Sequence, residues 1–192
     1  MDIMQLMKWC RSYRRFDQSR PIPENVLDHI LEAARLANSA SNRQQLRFVV
    51  VRSPEMVEKI FPFTHWAAML PKEAGQPKEG EHPVLFVVST YETAAKAKWT
   101  DLDLGIAEAR MTLAAAAEGV GSCILANIER DPIHEALGIP ASKEIATVVA
   151  FGYPTHASHI VDVKGGDVKY YLDEKKDYCV PKRSREELFH II

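Results

Sequence analysis

Hydrophobic positions recur along this chain with two periods, and the switches between them lay out its elements. Ile3, Leu6, Met7 and Cys10 fall at helical spacing and predict a short opening helix. Val26, Leu27, Ile30, Leu31 and Ala34 mark one face of a second helix, expected to run to about Asn38. Pro23 suits its first turn, and Glu24 suits the positive end of its dipole. Phe48-Val49-Val50-Val51 is a β-branched run that predicts a strand, and Ser53-Pro54 opens another helix. Val84 to Val88 predicts a second buried strand. Leu102, Ile106, Leu113 and Ala117 define a long helix, capped by Thr100 or Asp101 and stopped at Gly119. Gly121 to Leu125 reads as a short strand or extended turn. Asp131-Pro132 begins a short helix closed at Gly138, and Ile145 to Phe151 is a third clear strand.

Two stretches lack a period. Pro62 to Pro83, broken by prolines, glycines and lysines, predicts a lid-like excursion with some helix around Trp66. From Gly152 onward the chain is polar, with Gly165-Gly166, the run Asp173-Glu174-Lys175-Lys176 and a late Pro181-Lys182-Arg183. Such a tail is a poor candidate for a core of its own and suits an arm that wraps a partner subunit. The expected organisation is one domain, a core over 1–152 and a C-terminal arm over 153–192. Mixed helices and strands indicate an α/β or α+β protein, and three clear strands are few for a doubly wound sheet.

Composition narrows the classes. The chain has 192 residues, 46% hydrophobic and 26% charged, enough to bury a real core in one domain. A net charge of −2 argues against a nucleic-acid protein. No stretch approaches the apolar length of a membrane span, and Met1 to Arg11 lacks the apolar run of a secretory signal. Cys10, Cys123 and Cys179 are far apart and form no C-x-x-C pair, which fits passive thiols in a reducing cytoplasm.

The usual nucleotide and nucleophile motifs are missing: no P-loop, no G-x-G-x-x-G and no G-x-S-x-G occurs. His156 and His159 stand three apart on a loop without evident carboxylate or cysteine partners, and read as solvated histidines rather than a zinc pair. Two basic clusters lie at opposite ends, Arg11, Arg14 and Arg15 against Lys182, Arg183 and Arg185. Arginine forks bind phosphate oxygens bidentately, so together the clusters could hold a dianion; apart they are ordinary surface charge. Between a strong helix and a buried strand lies Ser39-Ala40-Ser41-Asn42-Arg43-Gln44-Gln45. Its hydroxyls and amides both donate and accept, and could read the edge of a planar heterocycle.

Five segments, in order, resemble the FMN-dependent nitroreductase family. Arg11-Ser12-Tyr13-Arg14-Arg15-Phe16 resembles its R-R-S-x-R-x-[FY] opening. Val26 to Leu36 followed by Asn38 to Gln44 resembles E-A-A-x-x-A-P-S-x-x-N-x-Q-P, running into a strand. Leu113 to Ile124 resembles L-A-A-x-x-x-G-L-G-S-C-W, Ile145 to Pro154 a strand ending in G-Y-P, and Val180-Pro181-Lys182-Arg183 a late K-R phosphate clamp.

The resemblance implies a three-layer α+β fold, with helices flanking a mainly antiparallel sheet and a C-terminal arm exchanged within a homodimer. It implies two FMN sites at the dimer interface. Arg11, Ser12 and Arg14 would hold the phosphate and pyrimidine side, with Arg14 tuning the reduced ring through its charge. Ser39, Ala40, Ser41, Asn42 and Gln44 would reach in from the other subunit, Ile124, Leu125 and Ala126 would lie near N5, and Lys182 and Arg183 would close on the phosphate. The implied chemistry is ping-pong hydride transfer from NAD(P)H to a nitroaromatic, quinone or similar small acceptor. No metal, nucleic acid or membrane takes part, and Cys123 is read as structural. Other flavin chemistry on the same fold, such as enone reduction or dehalogenation, stays open, as do a non-catalytic FMN carrier and a flavin-free docking module.

Three departures matter. Cys10 stands where the family often has its first arginine, Gln45-Leu46 replaces Pro-Trp, and Arg110 replaces an amide side chain and reads as a surface residue of the long helix.

Overall fold

The computed structural model describes residues 2–192. Its centre is a four-stranded sheet of β1 (Arg47–Val51), β2 (Leu85–Glu92), β3 (Gly121–Leu125) and β4 (Lys143–Gly152), in the order β1-β2-β4-β3 with every pair antiparallel. Alternation along the central strands sends successive side chains to opposite faces. Phe86, Val88, Val148 and Ala150 enter one core with Val57 and Ile60 of α3 (Pro54–Ile60) and Ile133 of α6 (Arg130–Leu137). Leu85, Val87, Val149 and Phe151 enter the other, with Val26, Leu27 and Ile30 of α2 (Glu24–Arg35) and Met111 and Ala115 of α5 (Thr100–Ala117). A sheet apolar on both faces must be covered on both, and here helices cover each, which gives this α+β protein three layers.

The opening helix α1 (Ile3–Trp9) is capped by Asp2 and Gln5 reciprocally. Beyond it the chain crosses the end of the sheet. The Tyr13 N–H donates to Ser122 O at 2.8 Å, and the Asp17 N–H to Tyr153 O at 2.8 Å. A Cβ on Gly121 would lie 2.9 Å from the Tyr13 ring, and one on Gly152 would lie 2.9 Å from the Phe16 side chain. Both strands meet this crossing segment at glycine because nothing larger fits.

Several boundaries differ from expectation. Helix α2 ends at Arg35, and α5 has Trp99 at its cap with no side-chain cap bond; Thr100 instead accepts the Ala97 N–H at 3.0 Å. Trp66 is not helical. Its indole N–H donates to Thr64 Oγ1 at 2.8 Å inside the first core, and the short helix α4 (Lys72–Gly75) lies further on.

The tail also differs. Residues 158–182 form a small sheet, with β7 (Tyr178–Lys182) parallel to β5 (Ser158–Asp162) and antiparallel to β6 (Tyr171–Leu172). Tyr178 and Cys179 are buried in their own subunit. Only the end of the chain beyond this sheet extends away: α7 (Arg185–Leu188), capped by Ser184 and Glu187, then the exposed Leu188, Phe189, Ile191 and Ile192.

Candidate functional site

One cleft brings together Arg11 and Arg14 of the first basic cluster with Lys182 of the second. It holds about 330 Å³ and is lined by Cys10, Arg11, Ser12 and Arg14 from the crossing segment and by Thr112 of α5. Ser122 and Ile124 of β3, Tyr170, and Val180 and Lys182 of β7 complete the wall. Three cationic side chains and no carboxylate line it, a donor set suited to an oxyanion. Ile124 is exposed between buried Cys123 and Leu125, leaving an apolar patch beside the cations.

The cations are held differently. Arg11 bends back to cap α1, its Nε donating to Cys10 O at 2.7 Å and its Nη2 to Met7 O at 3.0 Å. Arg14 lies with its guanidinium carbon 4.6 Å from the Tyr170 ring centre and 4.8 Å from that of Tyr178, within cation–π range of both. Arg15 faces away and donates to Lys176 O at 2.6 Å. Burial pushes the Cys10 thiol above its ordinary value, so it enters the cleft as a neutral group. Cys123 is buried with its pKa likewise raised by burial.

The polar loop Ser39–Gln44 lies elsewhere, beside a groove of about 360 Å³ between α2, β1 and α5. Ser41, Asn42 and Gln44 all have left-handed backbone, with φ of 53°, 50° and 50°. Such a conformation costs roughly 1–2 kcal/mol per residue in a side-chain-bearing chain. It concentrates backbone strain where several polar side chains are exposed, a pattern typical of functional loops. The Ala40 N–H is pinned by Asp103 Oδ1 at 2.8 Å, and Ser39 Oγ accepts the Gln44 N–H at 3.1 Å. Asp103 Oδ2 and both amide atoms of Gln45 are buried without a hydrogen-bond partner. Unpaired buried groups of this kind cost about 1–3 kcal/mol each.

The predicted residues thus divide. Arg11, Ser12, Arg14, Ile124 and Lys182 share the cleft, whereas Ser39 and Gln44 line the groove, with Ala40, Ser41 and Asn42 on its loop. The Leu125 side chain packs in the first core, Ala126 is exposed beyond β3, and Arg183 pairs with Glu187 at 3.2 Å outside the cleft. Arg110 is no idle surface residue: its guanidinium donates to Leu36 O at 2.7 Å and to Asn38 Oδ1, tying α5 to the end of α2. Ser122 and Val180 enter the cleft from within two of the segments singled out in the sequence, and Thr112 and Tyr170 from positions with no local signal.

The histidine reading is corrected in two ways. His156 is half-buried between Tyr13 and Tyr178, with ring centres 5.4 and 4.8 Å away, and burial depresses its pKa to about 4. His159 does gain carboxylate neighbours, Asp173 and Asp177, their ligand atoms all within 4.8 Å. Those carboxylates are already used by the turn. Asp173 Oδ1 accepts the Lys175 and Asp177 N–H groups, and Asp177 Oδ1 the Ala157 N–H.

No helix among the described residues is long and apolar enough to cross a membrane. Residues 7–153 match the model of the Nitroreductase family. A protein of Methanothermobacter thermautotrophicus, provisionally designated an NADH dehydrogenase/NAD(P)H nitroreductase, is 32% identical over 80% of this chain and 78% of its own. An FMN-dependent nitroreductase from Clostridium difficile superimposes with a TM-score of 0.68 at 23% identity, over 91% of this chain and 96% of that one. A nitroreductase with bound FMN from Bacteroides fragilis gives 0.67 at 24% identity, over 88% and 97%. Sequence match and shared architecture agree: the chain belongs to the nitroreductase family.

Proposed function

We propose that this protein binds FMN in the cationic cleft and, as a homodimer, catalyses ping-pong hydride transfer from NAD(P)H to a nitroaromatic, quinone or similar small acceptor. The observation that carries the reading is the cleft's donor set, with Arg11, Arg14 and Lys182 beside the Ser12 and Ser122 residues and no acid among its lining. It suits a phosphate monoester, while exposed Ile124 offers an apolar surface for a ring. The FMN held by the Bacteroides fragilis neighbour and the NAD(P)H nitroreductase designation of the archaeal relative support the same assignment.

When bound, FMN supplies the hydride-accepting and hydride-donating chemistry. The chain's part is position and charge. Lys182, Arg183 and Arg11 would hold the phosphate, Arg11 after leaving its cap on α1 and Arg183 after leaving Glu187, and Ser12 would donate to the polar edge. Arg14, held by two aromatic faces, places positive charge where reduction builds negative charge. Ile124, Leu125 and Ala126 line the ring side through side chain and backbone. Ser39, Ala40, Ser41, Asn42 and Gln44 serve the partner's cleft, which gives their strained, exposed loop a use. The arm is then the exposed end beyond Lys182. β1 is an edge strand, and Leu188 to Ile192 of a second copy would cover that edge and the neighbouring groove.

An anaerobic visible spectrum of the purified protein tests the reading, recorded before and after NADH or NADPH. A flavin spectrum that bleaches is expected. A flavin that neither nicotinamide reduces would make the protein a carrier, and a colourless protein that takes up no FMN would sink the assignment.

A further inference from the structure

Main-chain bonds hold the residues on either side of Arg14, the Tyr13 N–H to Ser122 O and the Thr155 N–H to Arg15 O, and Arg14 itself is held by one side chain outside the cleft. The Arg14 main-chain N–H donates to His156 Nε2 at 3.0 Å, across 142 positions of sequence. His156 Nδ1 lies 2.8 Å from Ala157 O, which can only accept, so Nδ1 carries the proton and Nε2 presents its lone pair. That carbonyl also receives the Tyr178 N–H at 3.0 Å, and Tyr178 is one of the two rings flanking the Arg14 guanidinium. The imidazole therefore joins three things at once: the backbone of Arg14, the ring that flanks its side chain, and β7, which brings Lys182 to the cleft.

We infer that His156 is a positioning residue for the cofactor site: as a neutral acceptor it holds the Arg14 backbone so that the guanidinium stays against the Tyr170 and Tyr178 rings, facing the cleft. The role rests on the FMN assignment above. It requires the neutral ring, because a proton on Nε2 would turn the acceptor into a second donor facing the Arg14 N–H. The surroundings keep that proton off. Burial against Tyr13 and Tyr178 disfavours a charged ring, and Arg15 and Arg14 repel one; the Ala157 carbonyl and Asp177 favour it, and burial prevails. No ligand to the cleft need touch His156, which is not among its lining residues.

The test compares His156→Phe with His156→Gln. Phenylalanine keeps an aromatic ring between Tyr13 and Tyr178 but removes the acceptor; the Gln Oε1 can replace Nε2 as acceptor. Apoprotein of each is titrated with FMN, following the quenching of flavin fluorescence, and the midpoint potential of the bound flavin and the thermal midpoint of the apoprotein are recorded alongside. Losing one hydrogen bond that orients a charged group corresponds to about a tenfold loss of affinity. The expected pattern is about tenfold weaker FMN binding and a lower flavin potential in His156→Phe, recovery of both in His156→Gln, and similar thermal midpoints for the two variants.

Equal affinity and potential in wild type and His156→Phe would overturn the role. So would equal loss in both variants tracking a fall in thermal midpoint, since that is the signature of packing alone. Wild-type protein that fails to bind FMN would overturn the flavin assignment itself, and the role with it. The wild-type isotherm separates that failure from the other two.

Discussion

The cleft under Tyr170 and the groove beside Asp103 are of similar size, but they differ in how their polar groups are satisfied. In the cleft, Arg11 caps a helix and Arg14 rests against two tyrosine rings. In the groove, a buried carboxylate oxygen and a buried amide have no partner, and the adjoining loop carries three left-handed residues in a stretch of four. Arg11 and Arg14 thus find their partners within the chain. The buried polar atoms of the groove do not, and the groove borders an edge strand.

Deleting residues 188–192 should break this comparison most severely. If the exposed tail covers a second copy's groove, the truncated chain becomes monomeric by sedimentation and loses FMN at the same time. A dimer that survives the deletion would mean the groove is closed by something else.

Arg14→Ala sharpens the other side. It removes a charged contact worth about 1.5–3 kcal/mol, so FMN affinity should fall at least tenfold and flavin reduction should slow. The dimer should persist, because the change lies on the cleft side. A variant that holds and reduces FMN like the parent would refute the placement of Arg14.

Much of the contrast was legible in the sequence, and its limits are physical. Val26, Leu27 and Ile30 announce their helix because a buried face imposes its period on neighbouring residues. Arg11-Ser12-Tyr13-Arg14 and Ser39 to Gln44 stood out as short contiguous motifs. What stayed hidden depends on residues far apart. Nothing near His156 shows that it faces Arg14, and Tyr170 reaches the cleft only because β5, β6 and β7 fold the tail back. The small sheet within the tail was not legible, since its strands are too short to show a clear alternation. Trp66 misled for a related reason. An aromatic in a proline-rich stretch has no period, and its burial is set by Thr64 and Phe61 rather than by a helix.

Asp103→Ala tests the hinge between the two regions. It frees the Ala40 N–H, at a cost of about 1–3 kcal/mol if that donor stays buried, and it also removes the unpaired Oδ2. Urea denaturation should show a net loss of about 1 kcal/mol, and the Ser39–Gln44 loop should exchange its amides faster.

Acid should act on the cleft side through His156. Its folded pKa of about 4 lies below its ordinary 6.5, so the unfolded chain binds the extra proton first. This contribution to stability is complete above about pH 6.5 and declines as pH falls toward 4. Glu108 works the other way. Burial raises its carboxyl above 4.5 despite donation from Ser89 and Thr147, so its contribution weakens as pH rises through that region. Thermal midpoints of wild type and His156→Phe, compared between pH 7 and pH 4.5, should therefore converge as the pH falls. A constant gap would show that His156 titrates normally. Smallest of all, Ser41→Gly should relieve the left-handed backbone and raise stability by about 0.5 kcal/mol, net of glycine's entropy.

The crossing segment has a consequence for how the chain is made. Residues 12–17 bond to Ser122 and Tyr153, and Arg14 waits for His156 and Tyr170. Those contacts span more than a hundred positions, and contacts of such separation form late because a long loop must close first. A nascent chain leaving the ribosome carries Arg14 without its partners until residues 156–178 have been made, while Arg11 has only its local bonds to Met7 and Cys10. The cleft comes into being only once residues up to Lys182 have been made, so a chain released before them has the family's opening motif and no place to use it.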